Sequence, residues 1–415
     1  MDKKLKIGII ADSVFLPTGY SNIGKQISKY LIKQGHSVHY FCVAYNGTTI
    51  DYARLPDGTE FNFKMYGEMV HSYFMNSIER YAKELNLDII LIILDTFMLY
   101  PAILSKDLSP AKVVFFYPSD GGNGMPLGCD AVLKKMDKSV AYSKFAQKQV
   151  KDYYGMDTPY IPIGTEPDKF YKLDDIKRMQ LRAKYGLLNK FVVGCVARNQ
   201  PRKMLDRMFK AFRLVKERIP EAILFLHTDP NDPAQSFNMF KLISDYNLEN
   251  RVYFSGMQAY KGFDWNQMNE VYNVMDLFFL STSGEGWGIP LVEAMSCEVP
   301  VLATDYTTTQ EIVKDNQAGL GIKLSGVEEI SSEEFFKDQK EYDKKVMNGT
   351  IMGSWMVERG IIDVVDAANK IEYLYKNPNL MKQMGKNGRN AVLEKYSFDK
   401  HTAKPFEDLF FELTK

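Results

Sequence analysis

The sequence predicts an α/β protein of two doubly wound, Rossmann-like domains that face each other across a cleft. Short apolar runs alternate with longer segments of helical periodicity along almost the whole chain, as in parallel sheets with helices on both faces. The alternation starts again near residue 190. The length of 415 residues suits two to three domains at roughly 150 residues each.

The first domain is expected to span residues 1–165. It opens with a strand at Lys6–Ile10, a loop that contains glycine and proline, and a helix at Asn22–Gln34. Gly35 ends that helix, and the next strand follows at Ser37–Val43. Further strands are predicted at Asp88–Leu94, Lys112–Tyr117, Ser139–Tyr142 and Pro159–Ile161.

The second domain is expected to span residues 174–399, after a hinge at Pro162–Leu173. It begins with a strand at Lys190–Val196 and an amphipathic helix at Met204–Arg218. Later strands are predicted at Ile223–His227, Arg251–Phe254, Asp276–Leu280 and Val299–Ala303. In open α/β sheets, ligands bind beyond the carboxyl ends of the strands, so the residues that follow each strand are the candidates for function.

The end of the chain departs from this alternation. Ser325–Gly353 is polar and lacks periodicity, which indicates an insertion or a mobile hairpin. Val364–Tyr375 and Asn379–Lys395 are predicted helices. A last helix, His401–Thr414 within residues 400–415, is expected to pack back on the first domain.

The composition excludes several classes of protein. Lys plus Arg and Asp plus Glu are 52 each, so the net charge is zero, which disfavours a protein built mainly to bind nucleic acid or anionic membrane. With 45% hydrophobic and 25% charged residues, the chain is an ordinary globular protein. The four cysteines are far apart, and no signal peptide or membrane-spanning segment is evident. A cytoplasmic protein without stable membrane insertion is therefore expected.

A glycine-rich loop, residues 281–288, is the most informative segment. It follows a predicted strand, and its glycines allow a ligand to approach the backbone. Pro290 suits the start of a helix, whose free N–H groups and dipole favour an anion. Glu285 lies in the loop and Glu293 is predicted in the first helical turn, so the two carboxylates suit two contacts on one extended ligand. A simple turn with a capping glutamate would explain Glu293 but not Glu285.

A basic segment follows the first strand of the second domain. It places Arg198, Arg202 and Lys203 beside the start of a helix, where cations oppose the helix dipole and repel one another. An anion held between these side chains would turn this unfavourable electrostatic energy into a favourable one. We favour a ligand role for Arg198; for Arg202, extension into water is an equal alternative. No Walker pattern is present, which disfavours a nucleoside triphosphatase.

Two loops of the first domain contain further candidate functional residues. Gly19 lies at the turn before the first helix, and Asp120 lies in a glycine-rich loop after a strand. Asp120 suits a hydrogen bond to a polyhydroxyl ligand, or else an ordinary Asp-Gly turn. His227 ends a strand and is interpreted as a structural histidine. No G-x-G-x-x-G dinucleotide motif follows a strand, which weakens a hydride-transfer interpretation.

These motifs together resemble the retaining GT-B glycosyltransferases, in the large group (group 1, family 4) that includes sucrose synthase and bacterial mannosyltransferases. EGWGIPLVE, from Glu285 to Glu293, fits the E-x7-E motif of that group, and Arg198 and Lys203 fit its Arg and Lys. YIPIGTEPDKFY at 160–171 and SKF at 143–145 are further landmarks. Many members carry a histidine in the loop where this chain has Asp120.

The resemblance implies a role for each residue. Arg198 and Lys203 would hold the diphosphate of a nucleotide sugar, Glu293 would bind the ribose hydroxyls, and Glu285 would contact the donor sugar. Gly19 would allow close approach to the diphosphate, and Asp120 would contact sugar. The implied donor-binding segment, whose backbone amides would add to the diphosphate site, consists of Gly286, Trp287, Gly288, Ile289, Pro290 and Leu291.

The implied reaction is metal-independent transfer with retained anomeric configuration and no cofactor, since no D-x-D metal motif is apparent. The leaving phosphate would help to take the proton of the acceptor. The partners are a nucleotide-sugar donor, for example a UDP or GDP sugar, and an acceptor that could be a glycan, lipid, protein, small molecule or modified nucleobase. Two alternatives remain: another GT-B enzyme, such as an epimerase or hydrolase, and a non-catalytic nucleotide-sugar binding protein.

Overall fold

The computed structural model describes residues 3–55, 59–70, 72–122, 128–233, 235–258, 262–331 and 356–415. These residues form two compact units. The first contains the described residues of Met1–Ile163, Glu329–Glu358 and Phe398–Lys415, and the second contains those of Gly164–Glu328 and Arg359–Ser397. The chain leaves the first unit after Ile163, returns to it for Glu329–Glu358, and returns again at Phe398.

The first unit is built on a six-stranded parallel sheet. Its strands lie in the order β5-β2-β1-β6-β7-β8, and every neighbouring pair is parallel. They are β1 (Lys6–Asp12), β2 (Ser37–Val43), β5 (Lys64–Tyr66), β6 (Ile89–Ile93), β7 (Lys112–Tyr117) and β8 (Lys138–Ala141). A small antiparallel pair, β3 (Ala53–Arg54) and β4 (Glu60–Phe61), lies outside this sheet. Because the strands are parallel, their carboxyl ends meet at one edge.

Helices cover this sheet. They are α1 (Gly19–Lys33), α2 (Ile78–Glu84), α3 (Thr96–Leu99), α4 (Cys129–Lys135), α5 (Lys144–Tyr154) and α14 (Lys404–Leu413). The first helix begins at Gly19, three residues before the predicted start, because the hydroxyl of Thr18 accepts the backbone N–H of Ser21 at 3.2 Å and caps it. The predicted strand Pro159–Ile161 is reduced to a bridge between Tyr160 and Ala141, since prolines on either side cannot donate to a ladder.

A buried polar contact joins the last helix to the first. The Leu5 backbone N–H donates to His36 Nδ1 at 3.1 Å, so the ring proton lies on Nε2, which donates to Glu407 at 3.1 Å. The Tyr30 hydroxyl donates to the other oxygen of Glu407 at 3.0 Å. Nearby, Phe406 packs edge-on against Phe116 of β7. The carboxylate of Glu407 therefore attaches α14 to the first unit.

We expect Glu407→Ala to lower the free energy of unfolding by about 2–6 kcal/mol, because two buried donors lose their acceptor and each costs ~1–3 kcal/mol. Urea denaturation followed by circular dichroism measures the change. The matched control is Asp408→Ala, since the neighbouring side chain is 61% exposed; it should stay within about 0.5 kcal/mol of the wild type. Equal effects of the two variants would contradict the structural role of Glu407.

The second unit repeats the architecture. Its strands lie in the order β11-β10-β9-β12-β13-β14, and all pairs are again parallel. They are β9 (Phe191–Val196), β10 (Ala222–His227), β11 (Val252–Phe254), β12 (Leu277–Leu280), β13 (Val301–Thr304) and β14 (Gly319–Ile322). The predicted α/β class with two parallel Rossmann-like sheets is confirmed.

The helices of the second unit follow its strands. They are α6 (Asp175–Lys184), α7 (Leu205–Arg218), α8 (Met239–Asp245), α9 (Trp265–Asn273), α10 (Ile289–Ser296), α11 (Thr308–Val313), α12 (Val364–Lys376) and α13 (Pro378–Lys395). Among the described helices, none is long and apolar enough to cross a membrane.

The segment predicted as an insertion or hairpin begins as a strand. β15 (Leu324–Ser331) pairs with β16 (Met356–Ile362) in a separate two-stranded sheet. The rest of the predicted segment, residues 332–353, lies outside the described residues.

Candidate functional site in the second unit

The two predicted functional loops meet because their strands are neighbours. β9 and β12 lie side by side in the sheet, so the loops that follow Val196 and Leu280 leave from the same edge. The backbone N–H of Ser283 donates to the Arg202 carbonyl at 2.8 Å. The Ser281 hydroxyl donates to the Lys203 carbonyl at 2.9 Å. These bonds fix the basic segment against the glycine-rich loop.

An ion cluster of Arg202, Lys203 and Glu285 lies at this junction. Lys203 Nζ is 2.5 Å from Glu285 Oε1, and Arg202 Nη1 is 2.9 Å from Oε2. The Glu285 side chain is only 6% exposed. Burial opposes its ionisation, but the charges of Arg202 and Lys203 outweigh that effect and hold the pKa of Glu285 at about 2. The anion that the crowded cations require is thus supplied, at least in part, by the protein itself.

Lys203 is the more enclosed of the two cations. Burial lowers the pKa of its ammonium, as does the neighbouring charge of Arg202, while Glu285 acts in the opposite direction. Within these three residues, one carboxylate lies between two basic side chains.

The glycine-rich loop ends where its geometry requires glycine. Gly288 has φ of 104° and caps α10, and a Cβ at this position would lie 2.9 Å from Leu291 Cδ1. Pro290 occupies the first turn of the helix, as predicted. Trp287 is buried, and its indole Nε1 makes no hydrogen bond to any described residue.

Two threonines that sequence reasoning missed hold this loop from the neighbouring strand end. The Glu285 backbone N–H donates to the Thr307 hydroxyl at 3.0 Å, and the Thr308 hydroxyl donates to the Glu285 carbonyl at 2.9 Å. Both follow β13, which lies beside β12 in the sheet. The sequence feature that could have identified them as candidates is their position shortly after a predicted strand.

Glu293 lies deeper in α10 than predicted. It is the fifth residue of the helix, not a residue of its first turn, so it does not cap the helix. The side chain is buried and accepts the Tyr272 hydroxyl at 2.5 Å. Burial raises the pKa of Glu293 to about 7, although the hydrogen bond from Tyr272 opposes the shift. Glu285 and Glu293 therefore differ in ionisation, and Glu293 titrates near neutral pH.

Arg198 stands apart from the ion cluster. Its side chain is 53% exposed, and its Nε lies 3.4 Å from the buried carboxylate of Asp232. Asp232 lies in the loop after β10 and was not identified from the sequence. Arg202, for which extension into water was an equal alternative, is the arginine that contacts Glu285.

The remaining candidates lie elsewhere. Gly19 is the exposed first residue of α1, and Asp120 is half-buried three residues after β7; both belong to the first unit. His227 hydrogen-bonds with the Ser255 hydroxyl at 2.9 Å, and burial lowers its pKa to about 4, which suits a structural histidine. Within the described part of the chain, no group of three or more His, Cys, Asp or Glu side chains is arranged to hold a metal ion.

Solved structures of other proteins have a similar overall fold. Sucrose-phosphate synthase from Thermosynechococcus elongatus has a TM-score of 0.73 at 17% identity, with 99% of each chain covered. HepE from Anabaena, solved in complex with UDP-glucose, has a TM-score of 0.70 at 15% identity, with 98% of this chain and 99% of that chain covered. These likenesses show the fold, which is the GT-B fold expected from the resemblance.

An uncharacterised glycosyltransferase of Methanocaldococcus jannaschii is 23% identical over 305 residues, which cover 73% of this chain and 63% of that protein. The match therefore spans less than two thirds of this relative. Residues 177–350 match the model of glycosyl transferases group 1. The ion cluster and Glu293 lie within the segment that is similar to this family.

Proposed function

We propose that this protein is a retaining glycosyltransferase that moves a sugar, most simply a hexose, from a nucleoside-diphosphate sugar to an acceptor without a metal ion. The observation that carries the proposal is the ion cluster of Arg202, Lys203 and Glu285 at the carboxyl ends of β9 and β12. It brings two basic side chains to the loop before α10, and free backbone N–H groups at the start of that helix also favour an anion.

The chemistry follows from the leaving group. As the bond between the anomeric carbon and the diphosphate oxygen breaks, its electron pair stays on the diphosphate. Lys203, with Arg198 and the backbone amides of Gly286–Leu291, stabilises that growing charge more in the transition state than in the ground state. The acceptor oxygen bonds to the anomeric carbon on the same face, and its proton passes to the departing diphosphate.

Two carboxylates recognise the donor. Glu293 accepts the ribose hydroxyls, and Glu285 contacts the donor sugar. Their different environments suit these roles, because Glu285 stays ionised between two cations while Glu293 gains hydrogen-bond donors when a ribose binds. The complex of HepE with UDP-glucose supports a nucleotide-sugar donor.

A thermal-shift panel of UDP, GDP, ADP and TDP sugars tests the donor. A specific donor should raise the melting temperature by mass action. Product analysis without an added acceptor then separates the alternatives: an epimerised sugar or a nucleoside monophosphate indicates another type of GT-B enzyme. Saturable binding without turnover under any condition indicates a non-catalytic binding protein. Failure of every nucleotide sugar to bind would end the proposal.

Nucleotide affinity is expected to rise with pH up to about 7 and then level off. The ribose hydroxyls donate to ionised Glu293, whose pKa is raised to about 7. Below that pH a proton must leave first, so affinity should fall by up to ~10-fold per pH unit. Calorimetric titration with UDP or GDP from pH 5.5 to 8.5 measures this. Glu293→Gln is the control, since in this variant only the ionisation of the nucleotide phosphate still changes affinity with pH. Identical pH profiles of affinity in the wild type and the variant would contradict the ribose role of Glu293.

Transfer is expected to persist in EDTA, because fixed cations of the protein stabilise the leaving diphosphate. Initial rates with and without excess EDTA, and after addition of Mg²⁺ or Mn²⁺, give the answer. Strict dependence on an added divalent cation would contradict the role of Lys203 and Arg198 as the substitute for a metal.

A further inference from the structure

A buried hydrogen bond joins α9 to α10, the helix that follows the glycine-rich loop. The Tyr272 hydroxyl, on the last turn of α9, donates to Glu293 Oε2 at 2.5 Å. Tyr272 is fully buried, and Glu293 is 9% exposed. Among the described residues, no other side chain donates to the Glu293 carboxylate. The bond therefore occupies one position on Oε2 and leaves Oε1 available to a ligand.

Two other aromatic rings hold the ring of Tyr272. It packs edge-on against Phe170, with 5.8 Å between the ring centroids, and its centroid lies 6.1 Å from that of Phe278 in β12. Both phenylalanines are buried. In a close-packed interior, a ring with such neighbours keeps one rotamer. Packing therefore fixes the position of the hydroxyl, whether or not the carboxylate of Glu293 is present.

The helix that carries Glu293 is attached to the same Phe170. The Ser296 hydroxyl, one turn after Glu293, donates to the Phe170 carbonyl at 2.6 Å. The guanidinium of Arg389 donates to the Phe170 carbonyl at 2.8 Å and to the Ser296 carbonyl at 3.0 Å. The hydroxyl of Tyr272 and the carboxylate of Glu293 are thus held by a shared support, which keeps the two groups within hydrogen-bond distance.

The ionisable groups around this pair are two thiols and one guanidinium. Cys195 of β9 and Cys297, directly after α10, act on Tyr272, and burial raises the pKa of both thiols, so neither is charged near neutral pH. Arg389 acts on Cys297 and is hydrogen-bonded to backbone carbonyls. Burial raises the pKa of Glu293 to about 7, and the hydrogen bond from Tyr272 opposes that rise. Loss of the hydroxyl should therefore raise the pKa of Glu293 further.

We propose that Tyr272 is a positioning residue, which holds the Glu293 carboxylate in the one orientation that favours a ribose over a deoxyribose. The inference rests on the proposed function, in which Glu293 accepts the ribose hydroxyls. The two adjacent hydroxyls of a ribose can both donate to a fixed carboxylate, whereas a 2′-deoxyribose offers one hydroxyl. A carboxylate that is free to rotate follows that single hydroxyl and discriminates less between the two sugars.

Calorimetric titration with UDP, GDP and ADP, and with the 2′-deoxy form of each, tests the inference. The wild type should bind at least one of these nucleotides ~10-fold or more tightly than its 2′-deoxy form, because the missing hydroxyl leaves a charged acceptor unsatisfied. In Tyr272→Phe, which removes one oxygen atom, that ratio should fall at least ~3-fold. The pH at which affinity levels off should rise by about one unit, because the pKa of Glu293 rises. A merely structural role would weaken both members of a pair equally and leave the pH profile unchanged.

Control variants separate this inference from the proposed function. Tyr373→Phe, at a tyrosine of the same unit that is 51% exposed, should change neither the ratio nor the pH profile. In the Glu293→Gln background, Tyr272→Phe should have no further effect on either, because the carboxylate that it positions is gone.

The inference is overturned if Tyr272→Phe keeps the wild-type ratio and pH profile while Glu293→Gln alters both. Equal or tighter binding of the 2′-deoxy forms by the wild type also overturns it, whatever the stability of the variants. If the wild type binds no nucleotide or nucleotide sugar at all, the proposed function itself fails.

Discussion

Lys203→Ala is expected to lower kcat for sugar transfer by about 10²–10³, which corresponds to ~2.7–4 kcal/mol of transition-state stabilisation. Its ammonium lies 2.5 Å from Glu285 in a largely buried cluster. Our proposal assigns this cation to the leaving diphosphate, because it is more enclosed than Arg202, the other cation of the cluster. Steady-state release of the nucleoside diphosphate in the presence of acceptor measures the effect.

Loss of Lys203 also leaves the buried Glu285 carboxylate with less compensation, so a loss of stability must be separated from a loss of catalysis. The double variant Lys203→Ala/Glu285→Gln removes the buried charge and should recover the melting temperature without recovering transfer. Lys210→Ala, at an exposed lysine of α7, is the matched control and should retain normal rates. Normal transfer by Lys203→Ala, or recovery of transfer in the double variant, would contradict the phosphate role.

Glu285→Gln is expected to have opposite effects on binding and turnover. The carboxylate contacts both Lys203 and Arg202, so a diphosphate that binds these cations must compete with it. Removal of the negative charge at constant volume should therefore tighten binding of the free nucleoside diphosphate by about tenfold, a change of ~1.4 kcal/mol. Turnover should fall at least ~100-fold, because the contact to the donor sugar is lost.

Calorimetry of nucleoside diphosphate binding and steady-state kinetics measure the two effects on the same preparation. Glu249→Gln removes a carboxylate from an exposed position of the same unit and is the matched control. Weaker nucleoside diphosphate binding by Glu285→Gln would show that the carboxylate organises the cations for the ligand and does not compete with it.

The sequence predicted the parts of the fold that have strong periodicity. The buried strands that become β7, β9 and β10 were placed within one or two residues, because continuous apolar runs between turn residues are specific to buried parallel strands. β14 (Gly319–Ile322) was not predicted, since its two glycines hide the apolar pattern. β5 was missed because three residues are too few to show a period.

The site was predicted at the level of its loops but not of its contacts. The spacing from Glu285 to Glu293 identified the segment. No pattern in the sequence shows that Glu285 pairs with Arg202 and Lys203, which lie more than 80 positions earlier in the chain. The hydroxyls of Thr307 and Thr308 and the carboxylate of Asp232 come to the site from other strands. Such contacts depend on which strands are neighbours in the sheet. The order of strands in the sheet differs from their order in the sequence, so periodicity along the chain does not show it.

The return of the chain to the first unit at Phe398 has a practical consequence for dissection of this protein. Removal of the last 18 residues, Phe398–Lys415, would strip α14 and Glu407 from the unit that holds the start of the polypeptide. A fragment encoded by a single stretch of gene can therefore cover most of the second unit, whereas the complete first unit can be made alone only by fusing or coexpressing three separate segments.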